Sequence, residues 1–122
     1  PNEYKNLIYA RSRLVHAGAS VGVDVIDVPY LDLEDMDGMK KEAELVRDLG
    51  FTGKGSIHPK QINMLNEIFT PSKEEIIKAK RIVDQFNESD TGLVVIDGKL
   101  IEKPVLREMQ RKILIADKIN QS

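Results

Sequence analysis

Val23-Asp24-Val25-Ile26-Asp27-Val28 is short, β-branched and apolar, and it reads as a largely buried strand. Before it, Leu7, Ile8, Leu14 and Val15 recur at helical spacing, and Gly18 and Gly22 close the segment, so the pattern predicts an amphipathic helix over residues 3–18. After it comes an acidic stretch, and then Met36, Met39, Ala43, Val46 and Leu49 mark one face of a second helix. Gly50 stands where a left-handed cap is wanted. Phe51-Thr52-Gly53-Lys54-Gly55-Ser56-Ile57-His58-Pro59 is a second, weaker strand, which Pro59 stops. Strand, helix, strand in this order implies a parallel βαβ unit.

The remainder reads as helices around one hairpin. Lys60 to Phe69 forms a short helix with Ile62, Leu65 and Phe69 inward. Ser72 and Glu75 match a capping box, which starts a helix to about Phe86 that buries Ile76, Ala79, Ile82, Val83 and Phe86. Asp97-Gly98 joins Leu93–Ile96 to Lys99–Glu102, the strongest short signal for a hairpin. Pro104 suits the first turn of a last helix, with Val105, Met109, Ile113 and Ile119 along one face. Two strands of the parallel kind are too few to bury both faces of a sheet. The α/β order fits the closing units of a (β/α)₈ barrel over residues 1–70, with residues 71–122 appended as helix, hairpin and helix.

The 122 residues are 41% hydrophobic and 31% charged, an ordinary globular composition. A net charge of −2, with both signs interspersed, makes no electrostatic case for nucleic acid or an anionic membrane. No apolar run reaches membrane-spanning length. The absence of Cys removes disulfides, Cys-type zinc sites and thiol nucleophiles, and it fits a reducing cytoplasm. Pro1-Asn2-Glu3 opens without an initiator Met and reads as a cut inside a larger protein.

Four features are candidates for chemistry. Asp32, Glu34, Asp35 and Asp37 beside Gly38 are dense in carboxylate, but EF-hand spacing puts Leu33 where the first ligand belongs. They read instead as acids at a helix start. Gly50 to Ser56 fails the Walker spacing, which leaves Lys54 as a contact for an anionic ligand or as part of a glycine-permitted bend. His58, with Pro59, stands at a strand end, where it faces an active site or fixes the turn through a ring hydrogen bond. His16 lies on a helix surface. Glu102 ends the hairpin just before Pro104 sets the next helix, so its place is well defined.

Several stretches together resemble the citrate lyase β-subunit family, within the wider group of HpcH/HpaI-type aldolases and malyl- or citramalyl-CoA lyases. They are Ala10-Arg11-Ser12-Arg13-Leu14-Val15, Ile26-Asp27-Val28-Pro29-Tyr30 with Asp32, and Leu49-Gly50-Phe51-Thr52-Gly53-Lys54. Ile57-His58-Pro59-Lys60-Gln61-Ile62, Phe69-Thr70-Pro71-Ser72 and Asp97-Gly98-Lys99-Leu100-Ile101-Glu102-Lys103-Pro104-Val105 continue the series in family order.

The resemblance implies a (β/α)₈ barrel, a C-terminal hairpin–helix lid, and Mg²⁺ held by residues upstream of Pro1, with no metal ligand in this chain. It implies cleavage of a citryl thioester to oxaloacetate and an acetyl thioester. The carrier would be CoA or the phosphopantetheine-type arm of an acyl carrier protein. Implied partners are the carrier-protein and transferase subunits and further copies of the chain, with a trimer as the implied form. His58, Pro59 and Lys54 would line the carrier. The usual family form Gly-x-Met-Ile-Asp-x-Pro reads here Gly98-Lys99-Leu100-Ile101-Glu102-Lys103-Pro104, which puts Glu102 at the catalytic Asp's position, one methylene longer. A malyl- or citramalyl-CoA lyase is the alternative enzyme. A non-catalytic assembly module is the competing reading of another class.

Overall fold

The computed structural model describes residues 3–89 and 92–121. Pro1 and Asn2, where a cut was expected, lie outside the described residues. The chain falls into two compact units, Pro1–Phe69 and Thr70–Ser122.

In the first unit, α1 (Glu3–Asn6) leads into α2 (Ile8–Val21). The helix expected over residues 3–18 therefore runs three residues further. Gly22 ends it at φ 72°, where its N–H and that of Val23 meet the carbonyls of Ala19 and Gly18. Gly18 is a buried contact rather than a terminator, because a Cβ there would overlap a methyl of Val25. Arg11 and Gly18 are the buried positions of α2, while Leu7 and Leu14, expected inward, are exposed.

β1 (Ile26–Asp27) pairs in parallel with β2 (Gly53–Lys54), Ile26 opposite Gly53 and Asp27 opposite Lys54. Thr52 N–H to Val25 O and Gly55 N–H to Asp27 O, each 2.9 Å, continue the bonding beyond the pair. The largely buried strand expected over Val23–Val28 is corrected here. Val23, Ile26 and Val28 are exposed, and Asp27 is the buried residue. Side chains alternate across a strand, so Asp27 lies on one face of β1 and Ile26 and Val28 on the other.

α3 (Met36–Leu49) starts on Asp35, whose Oδ1 accepts the Gly38 N–H at 2.9 Å. It ends on Gly50 at φ 114°. Met39, Ala43 and Val46 form its buried stripe. A 3₁₀ turn (Pro59–Gln61) precedes α4 (Ile62–Phe69), which buries Leu65 and Ile68. Ile62, expected inward, is exposed, and Ile68 takes its place. Met39, Ala43, Leu65 and Ile68 make the core, with Tyr30, Met36, Met64 and Phe69 against it.

In the second unit, α5 (Lys73–Glu88) begins on Ser72, whose Oγ accepts the Glu75 N–H at 3.1 Å. The other half of the capping box is replaced by an ion pair, in which Glu75 Oε2 lies 3.5 Å from Lys112 Nζ. β3 (Val94–Ile96) and β4 (Lys99–Ile101) form the antiparallel hairpin, with Asp97 at φ 50° and Gly98 at φ 76°, the backbone that a two-residue turn requires. Ile82, Val94, Ile96 and Ile101 are its core, with Phe86 and Met109 against them. α6 (Lys103–Gln121) buries Leu106 and Ala116, whereas Val105 and Ile119 are exposed. Its inward stripe is therefore one residue out of phase with the expected one at its start, and only Met109 and Ile113 keep their place at the margin.

Gly18→Ala tests the α2–Val25 contact. Alanine favours a helix over glycine by about 1 kcal/mol, while overpacking costs about 1–3 kcal/mol. Urea denaturation is expected to show a net loss of stability, part of which returns when Val25→Ala is added. A stabilised single variant would refute the contact.

Candidate functional site

The ends of β1 and β2 carry a buried ionic cluster. Asp27 Oδ1 and Oδ2 accept from Arg11 Nε and Nη2, each at 3.1 Å, a two-pronged pairing. Lys54 Nζ donates to Asp27 Oδ2 at 2.6 Å, to Glu42 Oε1 at 2.7 Å and to the Val28 carbonyl at 2.7 Å. Arg11 Nη2 also reaches Glu42 Oε1 at 3.0 Å. Two cations thus face two carboxylates, and the group is neutral. The side chains of Arg11, Asp27 and Lys54 are 6%, 6% and 0% exposed, so each charge depends on its partners rather than on water. Arg11 Nη1 is buried without a hydrogen-bond partner among the described residues.

The cluster ties α2, β1, α3 and β2 together, and the loops after the two strands meet above it. Pro29 lies on Gly55, where an added Cβ would come to 3.0 Å of its Cγ and press the ring aside by a few tenths of an ångström. Gln61, wholly buried, donates from Nε2 to the Tyr30 carbonyl at 2.9 Å and accepts the Ile57 N–H on Oε1 at 3.0 Å. Tyr30 Oη donates to Asp35 Oδ2 at 2.6 Å. That bond, with some burial and the nearby charges of Asp35, Asp32 and Glu42, pushes the Tyr30 phenol up to about 12. The same bond, helped by the Gly38 N–H, holds the Asp35 carboxyl below its usual range.

Each residue singled out from sequence has a definite place. Lys54, expected against an anionic ligand, has its three ammonium protons committed inside the chain, and its charge serves the cluster. His58 is exposed, and its Nδ1 accepts the Lys60 N–H at 3.1 Å, so the neutral ring carries its proton on Nε2. Pro59, also exposed, opens the 3₁₀ turn. Glu102 is exposed between β4 and α6, and its carbonyl accepts the Leu106 N–H at 3.0 Å. Near it in the same unit, a groove of about 260 Å³ is lined by apolar residues that include Ile82, Ile101 and Met109, together with Lys78, Lys99 and Asp97. Asp32 accepts the Glu34 N–H and Asp35 caps α3, so these acids complete a loop and a helix start. No group of three or more potential ligands that could hold a metal ion occurs among the described residues. No helix described is long and apolar enough to cross a membrane.

Arg11, Glu42 and Gln61 escaped identification as a set. Helical periodicity scores Arg11 and Glu42 as solvent-facing, and nothing local pairs them with Asp27 and Lys54. The available signal was an Asp in the middle of an apolar strand and a Lys in the next strand, since a charge in a buried strand demands a counter-charge.

Asp27→Asn is expected to lower stability by about 3–5 kcal/mol, because it leaves two buried cations facing one carboxylate. Urea denaturation measures the change, and a loss under 1 kcal/mol would mean that the cluster is well hydrated. Tyrosinate absorbance is expected to show a step near pH 12 that returns toward 10 in Asp35→Ala. A phenol pKa raised on folding stabilises below the ordinary value of 10, and that contribution is lost between pH 10 and about 12. The lowered Asp35 carboxyl works in the other direction. Its contribution is present above the usual 3.8 and lost as pH falls further.

Residues 1–59 match the family model HpcH/HpaI aldolase/citrate lyase. The chain is 30% identical over 116 residues to the citrate lyase subunit beta of Leuconostoc mesenteroides subsp. cremoris, covering 93% of this chain and 38% of that protein. It is 32% identical over 120 residues to the mitochondrial citramalyl-CoA lyase of Rattus norvegicus, covering 96% of this chain and 36% of that one. The crystal structure of the protein CitE from Mycobacterium tuberculosis in complex with magnesium, acetoacetate and coenzyme A superposes with a TM-score of 0.69 at 27% identity. That match covers 89% of this chain and 40% of the other. The chain thus spans little more than a third of the length of these two curated relatives.

Proposed function

The chain belongs to the HpcH/HpaI aldolase/citrate lyase family, and from that premise we propose that it forms part of a carbon–carbon lyase acting on a CoA-type thioester. The observation that carries the reading is the junction of two parallel strand ends. There the ionic cluster, Pro29 on Gly55 and Gln61 hold two loops in one arrangement. In a barrel that is the end where substrates bind. We place residues 1–70 as the last barrel units and residues 71–122 as the appended helix, hairpin and lid helix. The relative captured with coenzyme A and magnesium supports a CoA-type carrier and a magnesium-dependent intact protein. When bound, magnesium would polarise the oxygen of the departing oxo acid. The described residues do not fit a magnesium site, so no step is assigned to the metal in this chain.

The reaction is a retro-aldol cleavage. The tertiary hydroxyl gives up its proton to a base, its carbon–oxygen bond becomes a carbonyl, and the adjoining carbon–carbon bond breaks. The electron pair passes to the α-carbon of the thioester as an enolate, and a proton at that carbon completes the acetyl thioester. Glu102 is the group we assign to deliver it. Its exposure lets it reach a substrate, and the junction of β4 and α6 fixes its backbone. His58 and Pro59 line the wall against which the carrier lies. Lys54 acts through its neighbours, holding the Val28 carbonyl and Asp27. The acyl would be citryl, carried by CoA or an acyl carrier protein, with a transferase subunit and further copies of the chain as partners. The citramalyl-CoA lyase match is as extensive as the citrate lyase one, and it favours citramalyl-CoA as the second substrate to try.

The test is cleavage of citryl-, citramalyl- and malyl-CoA by the intact protein with Mg²⁺, comparing wild type with Glu102→Gln. Removing a positioned general acid is expected to lower kcat by about 10²–10⁴-fold. Unchanged turnover would take the proton away from Glu102. A wild type that cleaves none of the three would leave the assembly-module reading.

A further inference from the structure

Four polar or charged side chains are buried among the described residues, and three of them, Arg11, Asp27 and Lys54, answer one another's charges. Gln61, wholly buried, is the fourth and stands apart from the cluster. A buried primary amide is unfavourable unless its donor and acceptor are both used. Here the acceptor holds the Ile57 N–H at 3.0 Å, in the loop after β2, and the donor holds the Tyr30 carbonyl at 2.9 Å, in the loop after β1. Ser56 Oγ lies 3.2 Å from the same Oε1, although its single proton has a nearer acceptor in the His58 carbonyl at 2.8 Å. One side chain therefore spans two loops that neither strand pairing nor the apolar core connects. It touches the residue just before His58 and Pro59 on one side, and the loop that Lys54 anchors at Val28 on the other.

We infer that Gln61 is a positioning residue for thioester recognition, locking the Val28–Leu31 and Ser56–Pro59 loops into one platform. This rests on the lyase reading of the same site. No reacting atom need touch Gln61. Its contribution is the spacing of the loops, on which binding of the carrier arm depends. A residue of equal bulk without the amide would fill the space and hold neither loop. An ionised Glu would keep the Ile57 bond and lose the Tyr30 one.

The experiment compares Gln61→Met and Gln61→Glu with wild type in the intact protein, using whichever CoA thioester wild type cleaves. Folded fraction is followed by circular dichroism. Loss of the lock is expected to raise KM about tenfold with kcat within about threefold in Gln61→Met, the scale of one or two hydrogen bonds. Amide exchange at Ile57 is expected to quicken by at least about tenfold, while Ala43 and Val46 in α3 stay protected. A purely structural glutamine would behave otherwise. The active fraction would fall, kcat would drop in proportion and KM would not move, and that result overturns the inference. So does unchanged exchange at Ile57. Should Gln61→Met fail to fold, Gln61→Glu decides, since an unchanged KM refutes the lock and a raised KM supports it. If wild type cleaves no thioester, the lyase reading fails by itself, and exchange at Ile57 in Gln61→Met against wild type still decides whether Gln61 orders the loops.

Discussion

Asp27 is the group on which the first unit turns. Only two residues pair in each of β1 and β2, far too little hydrogen bonding to define a sheet alone. Its carboxylate takes a cation from α2 and another from β2, and Glu42 closes the ring from α3. Charges this deeply buried cost several kcal/mol each to desolvate, so the arrangement persists only while all four groups are in place. That all-or-none condition makes it specific. A slip of one residue between β1 and β2 would put Asp27 on the wrong face and leave Arg11 and Lys54 to share the single carboxylate of Glu42.

The apolar groups follow from the same choice. With the carboxylate turned toward α2 and α3, alternation along the strand puts Ile26 and Val28 on the opposite face, where both are exposed. The apolar core of this unit lies elsewhere, between α3 and α4, around Met39 and Leu65. Helix packing and ion pairing therefore do separate work. The core holds α3 to α4, and the cluster sets where the strand ends and their loops fall.

The second unit is built on local rules. Asp97 and Gly98 take the positive φ values that a tight turn demands, and the pairing of Val94 with Ile101 follows from the turn length. Ser72 caps α5 as its hydroxyl predicts. Glu102 owes its place to this simplicity, for it sits between a strand with a settled register and a helix with Pro104 in its first turn.

The sequence by itself determined the order of elements, the hairpin, the cap at Ser72, the left-handed end at Gly50 and the family to which the motifs point. The first four depend on neighbours a few residues apart, where backbone preference and hydrophobic period act directly, whereas the family rests on the likeness of motifs spread along the chain. Only the tertiary structure decided that Arg11, 16 positions from Asp27, and Glu42, 12 from Lys54, share one buried site. It also decided that Gln61 bridges two loops, that Lys54 spends its protons internally, and that Leu14 and Ile62 face out. Periodicity scores a residue by its own polarity and cannot see a partner from another element. The energy of a buried charge or amide depends almost wholly on that partner.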